Sequence, residues 1–192
     1  LTGGTITTSG TIGLDASALD YGSTRVYPAT LRYSSTPIYG SASATFVVGT
    51  IRWVPFMVTT SVTITYLGIY CSTSAAGSTV RLGIYGSTAS DTPSNLILDA
   101  GTVATTSTGA KSLTISQALT PGLYWIATLA AGATAPAITM HGSTVTHQFM
   151  PSLPTATANT AHTWTQATTS FPANATLTLS NAMNAPIVWV GA

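Results

Sequence analysis

The sequence predicts an all-β fold: an antiparallel β-sandwich, jelly-roll-like, with an extended N-terminal arm. Three observations predict it. No window sustains an apolar stripe at i, i+3, i+4 and i+7, because Gly, Pro or Thr interrupts each one. β-Branched and aromatic residues recur instead in short runs divided by turn-forming residues. The N-terminal stretch 1–36 is small, polar and near-repetitive, unlike the remainder.

That stretch opens "LTGGTITTSGTIGLDAS", with glycines at 3, 4, 10 and 13. Alone it offers too little apolar area to fold. It reads as an arm or connecting segment that pairs with a neighbouring subunit, and 37–192 reads as the sandwich domain. Tyr27, Tyr33 and Tyr39 lie near this junction. They are candidate oligomer contacts, since aromatic side chains are enriched in interfaces.

Strands are expected at "ATFVVG" (44–49), "IRWVPFMV" (51–58) and "SVTITYLGIYC" (61–71). A phrase then repeats: Leu67-Gly68-Ile69-Tyr70 returns as Leu82-Gly83-Ile84-Tyr85. With a tight turn at Ala75-Ala76 and Gly77 accepting positive φ, the two copies become partners in one antiparallel hairpin. Cys71 then faces Val80, Ile69 faces Leu82 and Leu67 faces Ile84, giving an apolar core face. The opposite face pairs Gly68 with Gly83 and Tyr66 with Tyr85. The glycines leave a gap there for aromatic rings or another backbone to cover. Further strands are expected at 95–101, 101–106 and 111–117. "TPG" (120–122) has the Pro-Gly order of a type II turn. "LYWIATLA" (123–130) is apolar on both faces and suits a central strand. Strands at 137–149, 175–180 and 185–192 complete the set, and 151–175 reads as a long loop over one end.

Composition narrows the function. Charged residues make up 5% of 192, far below the ordinary quarter, and there is no Glu. A surface this poor in charge lacks electrostatic repulsion between copies and suits assembly. The net charge of +1, with Arg25, Arg32, Arg52, Arg81 and Lys111 scattered, excludes a phosphate-binding footprint and so nucleic acid. No apolar run reaches the roughly 18 residues of a spanning helix, so no membrane insertion is expected. Cys71 is the single cysteine, expected as a small buried apolar residue. The chain opens at Leu1 without Met, as a processed or excised piece would.

Three stretches carry a resemblance. They are "LGIYCSTSAAGSTVRLGIYGS", "LILDAGTVATTSTGAKSLTIS" and "ALTPGLYWIATLAAG". In that order they resemble a module of tailed-bacteriophage tail fibres and minor tail proteins, over residues 59–131. The opening "GGTITTSGTIGL" is similar to segments that link fibre shafts or collars to terminal domains. The resemblance implies a virion structural protein on the particle exterior. It would be a homotrimeric β-sandwich joined to other virion proteins by its arm, with host surface glycan as a ligand. It carries over no catalytic residue and no cofactor. Two other classes fit the same composition: a capsid decoration or cement protein without a receptor, and a secreted bacterial carbohydrate-binding module.

The residues themselves give little chemistry. A glycosidase needs two carboxylates about 5–10 Å apart. The four acids are Asp15 and Asp20 in the arm and Asp91 and Asp99, each readable as a turn residue. No catalytic residue is therefore assigned, and no enzyme is expected. His141 and His147, on one strand face, stand about 20 Å apart, too far to share a metal; no metal is expected. Trp53, Trp125 and Trp189 lie in apolar strands and read as core. Trp164 lies in "TAHTWTQATTS", among hydroxyls, with His162 and Gln166 near it. Those three are the candidate ligand-binding residues, because an aromatic ring covers a sugar's apolar face while polar groups bond its hydroxyls.

Overall fold

The structure, a computed structural model, describes residues 32–34, 41–141, 163–176, 178–180 and 185–192. Twelve strands appear in chain order: β1 (Arg32–Ser34), β2 (Ser41–Thr45), β3 (Thr50–Val58), β4 (Val62–Thr73), β5 (Thr79–Ser87), β6 (Pro93–Ala104), β7 (Gly109–Leu119), β8 (Gly122–Ala131), β9 (Ala137–His141), β10 (Thr163–Ala167), β11 (Thr178–Ser180) and β12 (Trp189–Gly191). They form two antiparallel sheets. The front sheet runs β1-β12-β4-β9-β2, with β7 on the other edge of β4. The back sheet runs β11-β10-β3-β8-β5-β6. The all-β sandwich expected from the sequence is the observed fold. Residues 1–31 lie outside the described residues. β1 already belongs to the front sheet, so the sheet begins before residue 37.

Among the described strands the chain changes sheet at eight of eleven successive steps. Among consecutive described strands, β5 pairs with β6 and β10 with β11; the other neighbours in sequence do not pair. This corrects the hairpin expected at the repeated phrase. β4 and β5 stand in opposite sheets, and their apolar faces meet across the core instead of side by side. Leu67 and Ile69 of β4, and Val80, Leu82 and Ile84 of β5, are all buried in one cluster with Phe46, Ile126, Ile138 and Val190. The inward parity was legible; the partner was not.

The link between β4 and β5 is therefore an arch, and a second arch from β6 to β7 stacks against it. β4 pairs with β7 in the front sheet and β5 with β6 in the back sheet. The two bends are laced together. The Ala75 N–H donates to the Thr105 carbonyl at 3.1 Å, and the Thr105 N–H donates to the Ser78 carbonyl at 3.0 Å. The Ser78 hydroxyl donates to the Ala75 carbonyl at 2.7 Å and lies 2.7 Å from Thr105 Oγ1. Both hydroxyl residues are fully buried. A hairpin would leave these polar groups without each other; the stacked arches satisfy them. Gly77, at φ +68°, takes the left-handed conformation the bend needs.

Other expectations shift in detail. The strands expected at 95–101 and 101–106 are one strand, β6, irregularly registered against β5. The expected loop 151–175 contains β10, which pairs with β3 on one side and β11 on the other. Its Thr- and Gln-rich sequence hides a strand that is backbone-paired on both edges.

Candidate functional site

The two sheets present outer faces of different character. On the back sheet, Ile51 and Trp53 of β3, Tyr85 of β5, and Trp125, Ala127 and Leu129 of β8 form a second buried cluster. The segment 168–176 straps across it. Its backbone is tied at both ends: the Thr168 N–H donates to the Gly49 carbonyl at 2.8 Å, and the Ala175 N–H to the Ser94 carbonyl at 2.8 Å. Between them Phe171 packs edge-on to Tyr85, centroids 6.0 Å apart, and Tyr85 packs edge-on to Trp53 at 5.6 Å. The Tyr85 hydroxyl donates to the Pro172 carbonyl at 2.8 Å. Burial pushes the Tyr85 phenol well above its ordinary value.

Gly83 makes this strap fit. A Cβ there would lie 2.6 Å from Phe171 Cε2 and 2.8 Å from the Leu98 carbonyl oxygen. The gap expected at the glycine is filled by a ring, though by Phe171 and not by a tyrosine of the repeated phrase. Arg81 closes the edge. Its guanidinium lies 5.7 Å from the Phe171 centroid and grips Asp99 with two hydrogen bonds, Nε donating to Oδ1 at 2.9 Å. Burial alone would raise the Asp99 carboxyl, but the Arg81 hydrogen bonds, the Gly101 N–H and the Arg81 charge outweigh it and hold it below its ordinary value. Asp99 is thus an ion-pair partner in a strand, not a turn residue. Asp91 does sit in a turn, at φ 54°.

The front sheet's outer face has no such strap among the described residues. Tyr66, Gly68 and Tyr70 point outward from β4, opposite in parity to the buried Leu67, Ile69 and Cys71. Trp189 of β12 stands directly across from Gly68. Tyr70 is 47% exposed, the second most exposed large apolar side chain among the described residues. On the other side of β4, the exposed Ser112 and Thr114 of β7 stand opposite Gly68 and Tyr66. Gly68 is covered by the Tyr66 ring end: Oη, Cε1 and Cζ lie 2.6, 2.7 and 2.8 Å from where a Cβ would be. The hydroxyl end of the Tyr66 side chain therefore reaches along its own strand to lie over the glycine. Trp53 and Trp125 are core residues as expected, both fully buried, but Trp189 is half-buried on an outer face.

The sequence-derived candidates are not brought together as a loop site. Trp164 lies in β10, backbone-paired with Trp53 and Leu179, in a strand and not in a polar loop. Gln166, in the same strand, is half-buried, and its side-chain carbonyl accepts the Thr176 N–H at 2.9 Å, so it anchors the strap. His162, Tyr27 and Tyr39 lie outside the described residues; Tyr33 lies in β1, opposite Val190. The face bearing Tyr66, Tyr70 and Trp189 was missed as a site. Its signal is the period-2 alternation in "TYLGIY" and "VWV", which sets these aromatics on the opposite parity to the aliphatic residues.

Among the described residues the buried charge is Arg52. It points into the sandwich core, with its guanidinium 4.9 Å from the Phe46 centroid and Nη1 donating to Met140 Sδ at 3.4 Å. Burial lowers its pKa. Cys71 is fully buried, as expected, and burial raises its thiol pKa. No group of three or more His, Cys, Asp or Glu suited to a metal occurs among the described residues. No helix among them is long and apolar enough to cross a membrane. No protein-family model and no curated protein matches the chain.

Proposed function

We propose that this chain is a virion structural protein of a tailed bacteriophage: a fibre or surface-appendage subunit that assembles as a homotrimer through its N-terminal arm and presents the sandwich to host surface glycan. The observation that carries this reading is how little charge the sandwich shows. Among the described residues Arg81–Asp99 is the one ion pair, and Arg52 is buried. Such a surface meets sister subunits without desolvating ions. The stretch that resembles phage tail proteins, 59–131, spans β4 to β8, which is the stacked-arch block with its closing strand. That resemblance therefore covers one structural unit and not scattered loops.

A second reading, a particle-stabilising decoration protein without a receptor, is favoured by β7. This eleven-residue strand pairs with β4 alone and leaves its other edge open among the described residues. Peptide mass spectrometry and antibody labelling of intact phage particles test both. Labelling at the tail or at a fibre tip is expected; labelling spread over the capsid favours the second reading, and absence from particles overturns both. Deleting residues 1–31, which spares β1, is expected to abolish the oligomer in light scattering while circular dichroism still reports the sheet.

A further inference from the structure

We infer that the outer face of the front sheet, with Tyr66, Tyr70 and Trp189 around Gly68, binds a neutral oligosaccharide. The inference rests on the glycan-binding part of the proposed function and gives it a site other than the Trp164 strand. Three features point to sugar. First, aromatic surface lies low on the sheet. The end of the Tyr66 side chain reaches over Gly68, and Trp189 stands beside that glycine in the register. Aromatic surface is what the C–H face of a pyranose stacks on.

Second, the aromatic row has hydroxyls along it. Ser112 and Thr114 of β7 are exposed at the register positions of Gly68 and Tyr66. They can donate to and accept from sugar hydroxyls at the edge of a stacked ring. Tyr66 and Tyr70, four residues apart on one strand, have Cα atoms about 13 Å apart, room for two or three sugar rings end to end.

Third, charge is sparse. Lys111 on β7 pairs with the inward-facing Ile69 and donates to Ser107 Oγ at 2.7 Å, while Arg32 stands opposite Gly191, which in turn stands opposite Tyr66. Among the described residues that row supplies a single cation, not the cluster that would favour an acidic sugar or an acidic peptide. The contrast with the back sheet adds weight. There a comparable aromatic set is sealed by Phe171, while Tyr70 is left 47% exposed.

The test uses the full chain on an array of neutral and sialylated oligosaccharides, then calorimetric titration with the strongest neutral hit. Tyr70→Ala and Thr114→Arg, both at exposed positions, are each expected to weaken binding about tenfold or more, as loss of one stacking contact implies. Met57→Ala, exposed on the back sheet, is expected to bind as the parent does. Unchanged affinity in both front-sheet variants overturns the inference. If Trp164→Ala then abolishes binding, the site is on β10 and the glycan reading stands without this face. If the parent chain retains no neutral glycan, both this face and the glycan part of the proposed function fall, and particle composition alone judges the virion role. A changed light-scattering mass in Tyr70→Ala or Thr114→Arg, with circular dichroism intact, overturns it by making the face a subunit contact.

Discussion

The phrase Leu-Gly-Ile-Tyr occurs twice, and its copies end in opposite circumstances. In β5, Gly83 and Tyr85 lie under a strap, with Phe171 pressed on the glycine and the tyrosine fully buried. In β4, Gly68 is covered by Tyr66 of its own strand, and Tyr70 is half exposed. The aliphatic residues of both copies do the same work, since they fill one core from two sides. What differs is what the rest of the chain lays on the outward parity. Identical local sequence therefore fixed which side faces in, while a segment some ninety residues further on decided whether the other side stays open.

The contrast can be broken at several points. The largest effect is expected from Trp53→Ala, which empties the centre of the strapped cluster. Loss of a fully buried Trp costs about 3–5 kcal/mol, read from urea unfolding of the full chain. Tyr70→Ala on the open face should shift the same measurement by about 0.5 kcal/mol or less. Equal effects would mean that the two faces are not differently covered.

The glycines give a sharper comparison. Gly83→Ala drives a methyl against the Phe171 ring and the Leu98 carbonyl oxygen, which is fixed backbone. It should destabilise by about 1–3 kcal/mol, as overpacking does. At Gly68→Ala the three nearest atoms belong to the far end of the Tyr66 side chain, with no fixed backbone among them. It is expected to stay within about 0.5 kcal/mol. A reversed order would refute the assignment of the strap to Gly83.

Next is the clasp between the arches. Ser78→Ala removes a hydroxyl that bonds both the Ala75 carbonyl and Thr105. It leaves buried groups short of a partner and should cost about 1–3 kcal/mol. If β4 and β5 formed a plain hairpin, the same change would be near neutral.

The smallest effect belongs to the ion pair at the strap's edge. Both side chains are about a third exposed, at 35% and 30%, so screening leaves Asp99→Asn a loss of under about 1 kcal/mol at neutral pH. The sign follows from the depressed carboxyl. Its contribution is present above the ordinary Asp range near pH 4 and is lost as pH falls through the lower folded value. Unfolding curves of parent and variant should therefore converge as pH falls below the ordinary Asp range. A gap that persists there would assign the effect to packing on Phe171 instead of charge.

Much of the fold was legible. Period-2 alternation placed Leu67, Ile69, Cys71, Val80, Leu82 and Ile84 inward, and each is buried. Strand pairing was not legible, because alternation says which face is apolar and nothing of whether the apolar neighbour lies beside or opposite. The site was less legible still. Trp164 drew attention through its polar neighbours, yet those neighbours include Gln166, whose amide anchors the strap. Trp189, flanked by Val188 and Val190, reads as core until the register sets it across from Gly68 on the outer face.

By itself the sequence determined the class of structure: extended segments, most with one aliphatic side and 123–130 with two, and a nearly ion-free exterior. Those are local properties, fixed by side-chain alternation and composition. Only the tertiary structure decided that β4 and β5 face each other, that Ser78 meets Thr105, and that Phe171 covers the aromatic face of the back sheet while Tyr70 on the front sheet is exposed. Each of these joins residues distant in the chain, and such contacts follow from which buried polar groups and apolar faces can all be satisfied at once.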